Sequence, residues 1–187
     1  MSVYTPKIQE ALEFAAKVHQ NQKRKIGGLP YLIHSVGVAL ILTGINTEED
    51  LIAAALLHDT IEDGEGINKE VLAKKFGDRV AEIVYGVSEK SKSLSWQERK
   101  VEALDHVVRA GYDEILVKSA DVVYNMNDVA TSYQNEGEAI FEHFKAGKEQ
   151  QLERYQKLVK TIKNKWPQNP LMQELEEKLS KLENLWQ

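Results

Sequence analysis

The sequence predicts an all-α domain, and two observations carry that reading. Apolar residues recur at helical spacing along nearly the whole chain, beginning with Leu12, Ala15, Ala16 and His19 at i, i+3, i+4 and i+7. No run of strand length alternates apolar with polar residues, and β-branched clusters are few. The pattern gives about eight or nine helices in a single domain over residues 1–187, with 136–187 a C-terminal helical extension packed on the rest.

The first helix spans "ALEFAAKVH", and "QNQKRKIGGLP" breaks it with two glycines and a proline. A second helix runs from about Tyr31 to Leu42. Thr47 with Asp50 three residues on resembles a capping box, although Asp is not its usual acid, and opens a third helix through "LIAAALLHD". "INKEVLAKKFG" and "DRVAEIVYGVS" form two shorter helices parted at Gly77. Ser95, with Glu98 three residues later, caps a helix through "EALDHVVRAG". "DEILVKSADVVYNMNDVATSY" follows as a mostly apolar helix. A long amphipathic stretch, "GEAIFEHFKAGKEQQLERYQKLVKTIKNKW", breaks near Gly147. The last helix lies in "PQNPLMQELEEKLSKLENLW", and its Leu171, Leu175, Leu179, Leu182 and Leu185 are expected to pack in cis rather than on a partner chain. The charged runs "KEQQLERYQK" and "ELEEKLSKLEN" are expected to be solvated helix faces.

Composition narrows the class. The 187 residues are 42% hydrophobic, which suits a soluble globular protein and excludes a disordered one. Without cysteine there is no disulfide and no thiolate metal site. The N-terminal residues lack a basic region followed by an apolar one, so a signal peptide is not expected. No apolar run reaches the roughly 18 residues that a membrane helix requires. The cytoplasm is the default location. A formal net charge of −5 disfavours duplex DNA as a partner, because that affinity comes from neutralising phosphates. An anionic ligand would need a local basic cluster.

The stretch "ALLHDTIEDG" ends an apolar helix with His58 and Asp59, and Glu62 and Asp63 follow at once. Neighbours on a helix point about 100° apart, so His58 and Asp59 meet at one ion only near the helix end. Further ligands must come from other helices. His34 in "PYLIHSVGVAL" and Asp121 in "VKSADVVYNM" are polar residues at positions where the pattern expects core. Each alone has a bland explanation: a hydrogen-bonded core histidine, or an aspartate paired with a base. Two His and two Asp together suit Mn²⁺, Fe²⁺ or Zn²⁺ with room for water. Glu62 and Asp63 lie three and four residues after Asp59, so a continuing helix places all three on one face. A carboxylate beside metal-bound water is a natural general base, whereas an exposed acidic helix end is the alternative. Asn125 follows Asp121 by one turn and is read either as a phosphate or sugar ligand or as an interhelical hydrogen bond. Arg24 and Lys25, in the basic run Lys23 to Lys25, either face a nucleotide or sit in a solvated loop.

The order H … HD … D on separate helices resembles that of the HD-domain metal-dependent phosphohydrolases, whose fold is an all-α HD-domain helical bundle. Four segments, "AAKVHQNQKRKIGGLPYLIHSVGVA", "LIAAALLHDTIEDG", "FGDRVAEIVYGVSE" and "LVKSADVVYNMND", are similar in order and spacing to the hydrolase domain of RelA/SpoT-type alarmone enzymes and to its small stand-alone versions. The likeness covers roughly residues 8–130. It implies that His34, His58, Asp59 and Asp121 hold one divalent ion, usually manganese. It implies that Glu62 and Asp63 activate or orient the attacking water, that Arg24 and Lys25 pack on a guanine base, and that Asn125 lies near ribose and phosphates. The implied reaction removes the 3′-diphosphate of guanosine tetra- or pentaphosphate as pyrophosphate. Two positions depart from the pattern: Val122 stands where a basic residue is usual, and Ser35 where proline is. No synthetase segment follows, so alarmone synthesis is not expected. Segments around residues 88–107 and 141–159 look like another group of small bacterial HD phosphohydrolases; Lys148 and Arg154 there are read as surface residues sooner than phosphate ligands.

The rivals are a phosphatase or pyrophosphohydrolase acting on another nucleotide, including a pyridine dinucleotide phosphate, and an inactive nucleotide-binding regulatory module. The intact ligand set with both Glu62 and Asp63 argues against the second, since a binding module needs no water-activating pair. Spacing leaves a monomer and a homodimer equally open.

Overall fold

Residue pattern and breakers set the boundaries of ten α-helices and one 3₁₀ segment among the described residues. The computed structural model describes residues 3–89, 96–144 and 146–187, with side chains except at 96, 97, 99 and 100. The helices are α1 (Pro6–Val18), α2 (Leu32–Thr43), α3 (Glu49–Leu57), α4 (Thr60–Asp63), α5 (Lys69–Phe76), α6 (Asp78–Val87), α7 (Trp96–Arg109), α8 (Tyr112–Glu136), α9 (Lys148–Lys165) and α10 (Met172–Leu185). The 3₁₀ segment is Gly137–His143. No strand occurs among the described residues, only an isolated bridge between Lys23 and Pro30. No helix among them is long and apolar enough to cross a membrane.

Local chemistry explains most ends. Pro6 starts α1, where its missing N–H costs nothing, and the Thr5 hydroxyl accepts from the Ile8 N–H at 3.3 Å. Gly77, at φ 95°, makes the corner between α5 and α6 that no side-chain-bearing residue adopts cheaply. The capping box expected from Thr47 and Asp50 does not form. The cap of α3 is Glu48, which has no side-chain cap bond; its N–H donates to Asn46 Oδ1 at 2.8 Å, and Asp50 accepts from Lys7 Nζ at 2.7 Å. An interhelical partner outcompeted the local one. Ser95 lies outside the described residues.

Two apolar clusters share α8. Leu116, Val117 and Ala120 join α1, α2, α3, α5 and α6. Ile115, Val122, Val123, Met126, Val129 and Ala130 join α9, α10 and parts of α7. A 25-residue helix buried on both sides must be apolar nearly all round, which is the pattern read from its sequence. Val122, 2% exposed, contributes to the second cluster. Leu171, Leu175 and Leu182 are buried within the chain, with Leu179 and Leu185 packed alongside. Ser35 is fully buried and its hydroxyl has no protein partner.

Candidate metal centre and cleft

Four expected ligands from three parts of the chain converge where α2, α3 and α8 meet. His34 is the third residue of α2, His58 follows the last residue of α3, Asp59 precedes α4, and Asp121 sits mid-way along α8. The chain leaves α3 at Leu57, so His58 and Asp59 occupy the break between two helices, and the uninterrupted helix expected through Asp63 is not formed. That break is what lets adjacent side chains share one point.

His34 Nε2 lies 3.1 Å from His58 Nε2 and 3.4 Å from Asp121 Oδ1. Asp59 Oδ2 lies 3.0 Å from His58 Nε2 and 3.4 Å from His34 Nε2. His34, His58 and Asp121 each offer a ligand atom within 4.8 Å of the others, and all three are buried. Ligand atoms about 2.1 Å from one cation stand about 3.0 to 3.4 Å apart in octahedral to tetrahedral shells, so the spacing fits a small divalent ion. The donor set, two imidazole nitrogens and two carboxylates, fits as well.

Supporting bonds aim these groups. His58 Nδ1 donates to the Ala55 carbonyl at 2.8 Å, which turns Nε2 inward. The Tyr31 hydroxyl donates to Asp59 Oδ2 at 2.7 Å, and Lys118 Nζ donates to Asp121 Oδ2 at 2.8 Å. The Asn125 amide donates to Asp121 Oδ1, and its oxygen accepts from the Arg24 guanidinium at 2.9 Å. The basic partner considered for Asp121 thus exists, one turn before it, alongside the other ligands. Tyr31 and Lys118 are two supporting residues that do not stand out in the sequence. Lys118 carries a spacing signal, three residues before Asp121 on one helix face, whereas Tyr31 reaches Asp59 across 28 residues and no spacing foresees that bond.

Electrostatics follow from burial among these charges. Burial opposes the charged form of Asp59, yet His58 and His34 hold its carboxyl well below the usual range. Burial likewise opposes the charge on Asp121, and Lys118 together with both histidines brings it down. Burial pulls His58 down, but Asp59 and then Asp121 outweigh it and lift the imidazole to about 9. Burial lowers His34, so it stays the neutral member of the pair. Glu62 is pushed up to about 7 by burial and by the Asp59 charge, and its carboxylate accepts from the Glu89 N–H at 2.6 Å.

Beside the ligands opens a cleft of about 620 Å³, within the usual range for a small-molecule site. Glu62, Asp63, Arg24, Lys25 and Asn125 all line it, so the structure brings the remaining expected residues to one place. The loop before α2 delivers Arg24. Gly27 and Gly28, at φ 69° and 62°, turn the chain sharply. The Arg24 N–H then donates to the Leu29 carbonyl at 2.8 Å. The Arg24 guanidinium pairs with Asp128 at 2.7 Å and lies 5.6 Å from the ring centres of both Tyr31 and Tyr124. Lys148, half-buried, pairs with Glu138 at 2.8 Å and does not line the cleft, whereas Arg154 lines it with Gln151 and Tyr155. The solvated-face reading of "KEQQLERYQK" therefore fails for these three residues, because one turn of α9 faces inward.

Residues 11–161 match the family model for the HD domain. The chain is 42% identical over 128 residues to a guanosine-3′,5′-bis(diphosphate) 3′-pyrophosphohydrolase of Danio rerio, covering 67% of this chain and 70% of that one. It is 37% identical over 126 residues to the enzyme of the same name from Aquifex aeolicus, where it covers 66% of this chain and 18% of that longer protein. A solved structure of a metazoan ortholog of SpoT, described as hydrolysing ppGpp and playing a role in starvation responses, superposes with a TM-score of 0.80 at 28% identity, covering 97% and 98% of the two chains.

Proposed function

The chain belongs to the HD-domain family, and on that premise we propose that it is a metal-dependent hydrolase of guanosine tetra- and pentaphosphate, releasing pyrophosphate and GDP or GTP from the 3′-diphosphate. The observation that carries the reading is the convergence of His34, His58, Asp59 and Asp121 beside a cleft that contains a half-buried carboxyl and a fixed guanidinium. Relatives that bear this activity by name, at 37 to 42% identity, support the substrate.

The four ligands would hold one divalent ion, and manganese suits their mixed nitrogen and oxygen donors. When bound, such an ion lowers the pKa of water and stabilises charge on a phosphoryl oxygen. Glu62 takes the proton from the attacking water; a carboxyl lifted to about 7 has the affinity such a base requires near neutrality. Asp63, beside it on α4, orients that water. The water oxygen bonds to the phosphorus attached to the 3′ oxygen, the bond to that oxygen breaks, the proton returns from Glu62 through solvent to leave a 3′ hydroxyl, and pyrophosphate is released. Arg24, immobilised by Asp128 and the two tyrosine rings, takes the guanine base with Lys25 beside it. Asn125 ties the Arg24 end of the cleft to the metal ligand Asp121, and its remaining hydrogen-bonding capacity faces ribose and phosphates. Residues 136–187 form an extension that closes one wall of the cleft through α9.

The test is to incubate manganese-loaded protein with a nucleotide panel and assay released pyrophosphate and phosphate. Pyrophosphate from guanosine 3′-diphosphates supports the reading. Phosphate from another nucleotide, including a pyridine dinucleotide phosphate, would retain the centre and replace the substrate. No release from a metal-loaded protein would favour a binding module.

A further inference from the structure

One turn of α9 holds a guanidinium that the reaction described above does not use. The described arginine side chains Arg24, Arg79 and Arg109 each have a carboxylate within 4.0 Å. Arg154 makes no ion pair and no side-chain hydrogen bond among the described residues, and its Nε is shut off from solvent without a partner. It is half-buried and lines both the main cleft and a small gap of about 30 Å³ that it shares with Glu89 and Lys118. Lys118 adds a second positive charge close by, and its ammonium is already committed to Asp121 at 2.8 Å.

The guanidinium lies 5.4 Å from the Tyr155 ring centre and shares its gap with Glu89 as well as Lys118, but its Nε–H stays unmet, which leaves hydrogen-bonding capacity for an anion in the cleft. Its planar fork matches a phosphoryl group, which accepts two parallel N–H bonds. Its location chooses which phosphoryl group. Lys118 donates to the ligand Asp121 and lines the same small gap as Arg154, so Arg154 neighbours the lysine that braces a metal ligand. The cation for the base, Arg24, is bound elsewhere by Asp128 and Asn125.

We propose that Arg154 grips the outer phosphate of the substrate's 3′-diphosphate, and so makes the protein select a diphosphate over a single phosphate. The assignment rests on the guanosine 3′-diphosphate reading above. The same fork then retains the product pyrophosphate, because the outer phosphate leaves with the phosphorus that was attacked.

The experiment titrates wild type, Arg154→Ala and Arg154→Lys, each loaded with one manganese per chain, with inorganic pyrophosphate and with orthophosphate by calorimetry. Arg154→Ala is expected to weaken pyrophosphate about ten- to a hundredfold, the loss of charge-assisted bonds to one phosphoryl group, while orthophosphate stays within about twofold. Arg154→Lys, which keeps charge and packing, is expected to fall between them and guards against a variant that fails to fold. Unchanged pyrophosphate binding, or equal loss for both anions, would overturn the proposal. In parallel, kcat/KM is measured for guanosine 3′,5′-bis(diphosphate) and for guanosine 3′-diphosphate with a free 5′ hydroxyl. The proposal expects the same fold-loss on both; a loss confined to the first would move Arg154 to the 5′-phosphates and overturn it. Should wild type turn over neither nucleotide, the substrate reading falls, and the pyrophosphate-to-orthophosphate comparison still decides the subsite.

Discussion

Loading the centre with manganese should expel a proton from His58. In the metal-free protein that imidazole is held at about 9 by Asp59 and Asp121 in spite of its burial, and its Nε2 points at Asp59 Oδ2 and His34 Nε2, 3.0 and 3.1 Å away. A metal ligand must be deprotonated. At pH 7 the site therefore gives up about two pH units of affinity, roughly a hundredfold or about 2.7 kcal/mol. Apparent manganese affinity should rise about tenfold per pH unit below pH 9 and level off above it. Glu62, at about 7, adds its own charge effect below neutrality, so the range from 7.5 to 8.5 isolates His58. The assay is calorimetric titration of chelator-stripped protein with manganese at pH 7.5, 8.0 and 8.5, in two buffers of different protonation enthalpy. About one proton released per ion and a tenfold gain in affinity across that range are expected. A flat affinity with no buffer-dependent heat would refute the argument that a proton and the metal compete for the same nitrogen.

Between pH 6.5 and 9 the metal-free protein should lose stability as pH rises. His58 is raised from 6.5 to about 9 and Glu62 from 4.5 to about 7, so the folded state binds protons more tightly than the unfolded state. The His58 contribution is complete below pH 6.5 and gone above 9, and a melting temperature that climbs over that span would contradict it. Glu62→Gln should keep manganese binding and slow pyrophosphate release by roughly 10²-fold or more, the scale of a lost general base; a near-normal rate would remove Glu62 from the chemistry. Arg24→Ala should raise KM about ten- to a hundredfold with a smaller change in kcat, since it deletes the group assigned to the base and leaves Asp128 without its 2.7 Å partner. Gly37→Ala would drive a methyl group into the Tyr124 ring, which packs on His34 at 4.9 Å, so about 1 to 3 kcal/mol of stability should be lost; an unchanged denaturant midpoint would show that Tyr124 yields freely.

Much of this arrangement was legible from residue types alone. His34, His58 and Asp121 stood out because a charged or imidazole group in an apolar helix needs a reason, and three such groups found one reason together. Glycine and proline breakers located the loop of Arg24 and the corners at Gly77 and Gly147. Long-range partners were not legible. Thr47 carries a local capping signal, but Asp50 went to Lys7, 43 residues away, and no spacing rule foresees such a competition. Arg154 reads as one more charge on a solvated helix, because its inward turn depends on how α9 lies against α7 and α8. From sequence Asp121 is equally a ligand or half of an ion pair, and the fold gives it Lys118 and the histidines at once.

The central claim is metal-dependent release of pyrophosphate from a guanosine 3′-diphosphate. It is tested most directly by following guanosine 3′,5′-bis(diphosphate) through turnover by manganese-loaded protein, with pyrophosphate and orthophosphate quantified separately and with chelator-treated protein and Asp59→Ala in parallel. The account predicts one pyrophosphate and one GDP per substrate, lost on chelation and in Asp59→Ala. Stepwise orthophosphate release, or turnover undiminished without metal, would contradict it.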